Sequence, residues 1–264
     1  MGELPRRVLS ALVVAPPAVL AVWAGAPYFG ALVLAAVLIL AWEWDRMCDG
    51  RFGPAGIVLA LSVAAAAVLA WLSAWTWGLA AAAAGFGAVL AVERLARGKA
   101  AFWAAFGALY IGVPAVAILW LRDDPVAGRA SVLWLIAVTA ATDIGAYFSG
   151  RAVGGPKLAP RVSPGKTWAG LLGGVVAAGA AGAAGGWLMD GSLGVLAGAG
   201  VMLAFVGQAG DLFESAAKRR FGRKDMSGLI PGHGGLFDRV DGLVIVILAV
   251  AAATLLIGAP VVQW

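Results

Sequence analysis

Apolar runs of about 17 to 25 residues, the length an α-helix needs to cross a bilayer's hydrocarbon, recur nine times along the chain. They cover residues 8–26, 28–44, 55–72, 75–92, 101–121, 130–149, 167–189, 192–210 and 240–258. Short neutral connections such as Gly25 to Tyr28 and Ser73 to Trp77 join neighbouring runs into hairpins, and charged connections separate the pairs. The pattern predicts an all-α polytopic membrane protein of about nine transmembrane helices. It forms a single membrane domain over 1–264, with generic membrane helices in 1–129 and the helices and loops that carry chemistry in 130–264.

Composition agrees. Hydrophobic residues make up 62% of the 264 positions, charged residues 12%, and the mean hydropathy is +0.93, where soluble domains carry about 25% charged residues. No polar segment is long enough to bury a core of its own. Cys48 is the only cysteine, which excludes an intramolecular disulfide and a thiolate metal site. Arg6 and Arg7 before the first apolar run resemble a signal peptide's basic start, but no small-residue cleavage site follows, so the run is expected to be the first anchor.

The nineteen Lys and Arg residues orient the chain by the positive-inside rule. With nine spans and the N-terminus in the cytoplasm, seventeen fall inside and only Arg122 and Arg129 outside. The C-terminus is then expected outside. In the seventh span, GGVVAAGAAGAAGG from Gly173 to Gly186 sets small residues three and four apart, the spacing of closely packed helices.

Three polar groupings break the apolar pattern, all at the expected cytoplasmic side or in helices leading to it. Asp143, in ATDIGAYFSGR, sits inside the sixth span, where a carboxylate needs a cation, a proton or a water-filled cavity. Between the sixth and seventh spans lies KLAPRVSPGKTWAGLLGG. Its GKT differs from a phosphate-binding P-loop, because Pro160 stands where that pattern has glycine and no parallel strand precedes it. Ser163 and Thr167 still offer hydroxyls, Lys166 offers a charge, and Thr167 is placed to open a helix whose N-terminal amides favour anions.

The third grouping, DLFESAAKRRFGRKDMSGLIPGHGGLFDRVD from Asp211 to Asp241, holds eleven charged residues and the only histidine, His233. On a continued eighth helix, Asp211, Ser215 and Lys218 share one face. In PGHGG, Gly232, Gly234 and Gly235 permit close approach of main chain to a ligand. Asp238 and Asp241 follow at i, i+3, a placement of hard oxygens that suits Mg²⁺. Carboxylates beside Lys218, Arg219, Arg220, Arg223 and Lys224 make sense around a metal-bound polyphosphate. His233 is a candidate acid or phosphate donor, or a hydrogen-bonding member of the turn. Nucleic acid is not an expected partner, since no aromatic stacking positions interleave with the basic residues.

The segment SAAKRRFGRKDMSGLIPGHGGLFDRVD resembles the signature of the phosphatidate cytidylyltransferases, the CDP-diacylglycerol synthases. Ser215, Lys218, Arg219, Lys224, Asp225, Pro231 to Gly235, Asp238, Arg239 and Asp241 occur in that family's order and spacing, and the stretches around Asp143 and from Lys157 to Gly174 are similar too. Ala217 stands where a larger apolar residue is usual, and Gly155 where a basic one often precedes the LAP segment. The resemblance implies transfer of cytidylyl from CTP to phosphatidate for phospholipid biosynthesis, in a bacterial-type inner membrane with the active site facing the cytoplasm. It also implies Mg²⁺, with a monovalent cation such as K⁺ beside it, and a homodimer. Asp211 and Asp238 are then the first candidate metal ligands, followed by Asp241 and Asp143. Lys166, Lys218, Arg219, His233 and Arg239 are candidate catalytic residues; Ser163, Thr167, Ser215, Lys224, Gly232, Gly234 and Gly235 are candidate substrate-binding ones. A related CTP-dependent enzyme acting on an isoprenoid phosphate or alcohol, or an ion-coupled transporter, is the alternative.

Overall fold

Alanine, leucine and valine dominate the spans, and interior prolines are rare, so helix is the structure that satisfies every backbone group without water. The computed structural model describes residues 16–96, 100–230 and 234–264. Within them the chain is helical over 16–24 (α1), Tyr28–Asp49 (α2), Pro54–Trp71 (α3), Trp75–Leu95 (α4), Ala101–Asp123 (α5), Gly128–Ala152 (α6), Trp168–Leu188 (α7), Leu193–Arg220 (α8) and Phe237–Ile257 (α9). Eight of these, α2 to α9, are long and apolar enough to cross a membrane; the protein is an integral membrane protein. Part of the expected first span, 8–26, lies outside the described residues.

The single sheet among the described residues is an antiparallel hairpin of β1 (Lys157–Ala159) and β2 (Ser163–Thr167). Sequence periodicity does not announce it, because SPGKT is short and irregular.

The chain forms two compact units. The first comprises residues 1–123 and 221–240 and has α5 at its centre, packed against α2, α3 and α4. Here Trp44 donates its indole N–H to the Trp103 carbonyl at 2.7 Å and packs its ring on Tyr110 and Phe237 at 5.4 and 5.5 Å between centroids. That aromatic cluster ties the start of α9 to the N-terminal helices. The polar segment from Phe221 to Val240 therefore belongs with the N-terminal half.

The second unit, residues 124–220 and 241–264, is built on α6, α7 and α8. Lipid removes the hydrophobic drive for helix association, so contact has to come from close backbone packing. The Gly173–Gly186 stretch provides it inside the unit. A Cβ on Gly182 would strike the Leu196 carbonyl oxygen, and one on Gly200 the Ala178 carbonyl oxygen. Ile144, Phe148, Leu172 and Val176 point outward from α6 and α7, as lipid-facing residues do. At about 1.5 Å per residue, the 28 residues of α8 reach about 42 Å, beyond the roughly 30 Å hydrocarbon layer. Its last turns form the polar arm predicted from Asp211 onward.

Gly200→Val should cost about 1–3 kcal/mol, the usual effect of overpacking, and lower the melting temperature in detergent. Gly198→Ala, where a Cβ meets nothing within 4 Å, should leave it unchanged or raise it.

Candidate active site

Backbone approach between α6 and α7 sets the first part of the site. A Cβ on Gly170 would lie 3.0 Å from the Ala146 carbonyl oxygen, and one on Gly174 2.9 Å from that of Thr142. With no side chains between them, the helices bring Asp143 on α6 beside the end of β2. Thr167 ends β2 in extended conformation and caps α7, its Oγ1 accepting from Gly170 N at 3.1 Å. Thr167 is itself buried, so its hydroxyl serves the helix end.

These elements and α8 line an open cavity of about 500 Å³ with Asp143, Tyr147, Arg151, Gly165, Lys166, Thr167, Gln208 and Asp211 among its walls. Arg151 Nη1 donates to Tyr147 Oη at 3.0 Å, and Lys166 Nζ is ion-paired with Asp211. A smaller chamber of about 30 Å³ shares Asp143, Gln208 and Asp211 and adds Asp241, enough room for about one water or ion. It exists because α8 and α9 cross at glycines: a Cβ on Gly210 would lie 3.1 Å from the Asp241 carbonyl oxygen. The Gln208 amide nitrogen is buried there with no acceptor among the described residues.

Three predicted candidates take positions that spacing alone did not distinguish. Lys218 is buried and pairs with Glu214 at 2.6 Å, one turn back on α8, while Asp211, expected to share a face with Lys218, pairs with Lys166. Arg219 is exposed and its Nε donates to the Val162 carbonyl oxygen at 3.3 Å, fastening the α8 arm to the hairpin. Ser163 and Ser215 are half-buried.

A second polar assembly lies in the first unit. Asp238, in the first turn of α9, is buried, and its Oδ2 accepts from Met226 N at 3.0 Å and Gly235 N at 2.7 Å. Gly234 has φ +79°, a left-handed conformation that glycine adopts at little cost, and Ile230 N donates to its carbonyl at 2.8 Å. Lys224 and Arg239 are exposed. Gly232 and His233 lie outside the described residues.

Glu43 on α2 joins this assembly. Fully buried, it accepts from Ser227 Oγ at 2.5 Å, Leu236 N at 2.9 Å and Phe237 N at 2.8 Å. Hydrogen bonds to a charged acceptor contribute about 1.5–3 kcal/mol each, which offsets the desolvation of a buried carboxylate. Sequence reasoning missed Glu43 and also Gln208, Tyr147 and Arg151 as cavity residues. A signal for Glu43 was present: a carboxylate inside the apolar run 28–44 needs a partner for the same reason as Asp143.

Among the described residues no three His, Cys, Asp or Glu side chains form a set that could hold a metal alone. Asp143 and Asp211 on a shared chamber nevertheless fit a hard cation of the Mg²⁺ kind, which is typically held by one or two carboxylates with water and phosphate oxygens completing its shell.

Carboxylates, a lysine and an arginine thus line one cavity in a membrane-embedded helical unit. In comparison with known proteins, residues 5–257 match the Cytidylyltransferase family. The chain is 39% identical to the phosphatidate cytidylyltransferase of Brucella suis biovar 1, covering 98% of this chain and 94% of that protein. It is 39% identical to that of Pseudomonas aeruginosa, over 94% and 96%, and 33% identical to that of Haemophilus influenzae, over 91% and 94%. The chain belongs to the cytidylyltransferase family.

Thr167→Ala should cost about 1 kcal/mol through loss of the α7 cap, and Thr167→Ser should recover it, both measured by thermal unfolding in detergent.

Proposed function

We propose that this protein transfers the cytidylyl group of CTP to phosphatidate, giving CDP-diacylglycerol and pyrophosphate. The observation that carries this reading is the cavity of the second unit, where Lys166 and Arg151 stand beside Asp143 and Asp211. Both signs of charge in one cavity suit a polyphosphate accompanied by a cation. The printed names of the relatives supply the lipid and the nucleotide.

A phosphomonoester has a second pKa of about 6, so near neutral pH phosphatidate arrives with its nucleophilic oxygen largely ionised. That oxygen forms a bond to the α-phosphorus of CTP. The bond between the α-phosphorus and the bridging oxygen breaks, and pyrophosphate leaves with the electron pair. No strong general base is required; the difficulty is repulsion between two polyanions. Lys166, Arg151 and the exposed Arg219 are the candidates to oppose that repulsion. Lys166 is held in place by Asp211, so it is oriented before a phosphate displaces or joins its partner. Asp143 and Asp211 would hold Mg²⁺, whose chemistry is to neutralise phosphate oxygens.

The excess of Lys and Arg in alternate connections supports a cytoplasmic N-terminus and a cavity opening toward cytoplasmic CTP. The acyl chains then stay in the bacterial inner membrane while the headgroup reaches the site. A homodimer is part of the same reading.

Purified protein supplied with labelled CTP, phosphatidate and Mg²⁺ should release labelled CDP-diacylglycerol and equimolar pyrophosphate. Absence of both products from folded protein would sink the proposal, and turnover of isoprenoid phosphate in preference to phosphatidate would redirect it. Lys166→Met should lower kcat/KM for CTP about 10- to 100-fold, the equivalent of one charged hydrogen bond of about 1.5–3 kcal/mol.

A further inference from the structure

We infer that Gln208 is a substrate-binding residue, its side-chain amide serving as a neutral hydrogen-bond donor to a phosphate oxygen of the nucleotide. The inference rests on the function proposed above, and its binding part is testable without turnover.

Position is the first support. Gln208 stands on α8 about one turn before Asp211, between Gly207 and Gly210, two glycines at which α8 meets α9. A Cβ on Gly242 would lie 3.1 Å from the Gly207 carbonyl oxygen, and one on Gly210 3.1 Å from that of Asp241. This close crossing fixes the main chain on both sides of Gln208. Its side chain lines both the cavity of about 500 Å³ and the chamber of about 30 Å³. Asp143 and Asp211 line both spaces as well, so a phosphate that arrives with a cation at these carboxylates arrives at the amide too.

Chemistry is the second. The Gln208 Nε2 is buried with no acceptor among the described residues, although Asp143, Asp211 and Asp241 stand on the same chamber. A buried N–H that bonds nothing is costly, and a donor that served to fix those carboxylates would bond one of them. Charge explains why a neutral group suits this place. Lys166 is drawn into an ion pair with Asp211, and Arg151 donates to Tyr147. A further cation among the carboxylates would be paired in the same way, whereas a carboxamide carries no net charge to be paired. The terminal torsion of glutamine is broad, so the N–H₂ turns toward chamber or cavity while the main chain stays in place. A phosphate oxygen, being charged, accepts such a bond strongly.

Gln208→Met keeps the length of the side chain and removes the amide. Titrated calorimetrically in detergent with inorganic pyrophosphate and Mg²⁺, and separately with CTP and Mg²⁺ without phosphatidate, it should bind each about tenfold more weakly than wild type, the effect of losing a hydrogen bond to a charged group. Without ligand it should melt at the wild-type temperature or above it, because an unsatisfied donor has been removed, and pyrophosphate should stabilise it less than wild type. Gln208→Glu separates a donor to phosphate from an oxygen ligand to the cation: it should bind pyrophosphate no more tightly than Gln208→Met, and tighter binding overturns the inference. Affinities of Gln208→Met within about threefold of wild type overturn it too. So does lower ligand-free melting of both Gln208→Met and Gln208→Asn, as loss of a structural bond would give. Should Gln208→Met alone fail to fold, Gln208→Asn, which draws the amide back by one methylene, takes its place; the same weakening is expected and unchanged affinity overturns the inference. If wild-type protein binds pyrophosphate yet makes no CDP-diacylglycerol, the proposed function fails and the pyrophosphate titrations alone judge Gln208. If it binds neither ligand, the inference itself is overturned.

Discussion

A charge carried into an apolar helix bundle costs far more than its own solvation unless hydrogen bonds or an opposite charge replace the lost water, and that constraint organises the polar parts of this protein. Several buried or half-buried charges in the functional region are matched. Lys218 is paired with Glu214, and Lys166 with Asp211. Among the described residues Glu43 accepts from Ser227 Oγ, Leu236 N and Phe237 N, and Asp238 from Met226 N and Gly235 N. Asp45 follows the rule two residues further along α2, accepting from Gly53 N at 2.9 Å. Glu43 and Asp238 take the backbone N–H groups of Met226, Gly235, Leu236 and Phe237 in place of water.

Close helix packing answers the opposite question of how apolar helices associate when lipid is as apolar as they are. In the second unit glycine and alanine allow α7 to meet α6 and α8 backbone to backbone. The same contacts have a functional effect, since they leave Asp143, Thr167, Gln208 and Asp211 around one cavity. Packing and site construction are therefore one process in this unit. A bulky residue at Gly170 or Gly174 would separate the helices and the cavity walls together.

Charges of both signs line that cavity. Like charges repel one another, so a cavity lined by positive charge alone would be self-repelling when empty. An ion-paired lysine avoids that problem: Asp211 holds Lys166 in place and keeps the resting site near neutrality. Such preorganisation is the larger part of electrostatic catalysis.

Hydropathy alone was enough for helices α2 to α9, because a bilayer permits few other solutions for a run of about 20 apolar residues. The α8 arm was legible for a related reason: Asp211 to Arg220 continue a helical period without a breaker. The resemblance carried by the PGHGG and DRVD segments named the reaction, and Asp143 stood out as a carboxylate in hydrocarbon. The partners of the charges that lie far apart in the chain were not legible. Spacing placed Asp211, Ser215 and Lys218 on one face, yet Asp211 takes Lys166 from the β2 strand and Lys218 takes Glu214. Glu43 is separated by nearly two hundred positions from the amides it binds, and no local pattern records a pairing of that length. Sequence by itself determined which segments lie in the membrane and which residue types are present for phosphate and cation chemistry, since those follow from composition and period. Only tertiary structure decided which charge meets which donor, because a buried charge is matched by whatever folding brings within about 3 Å, wherever that group lies in the chain.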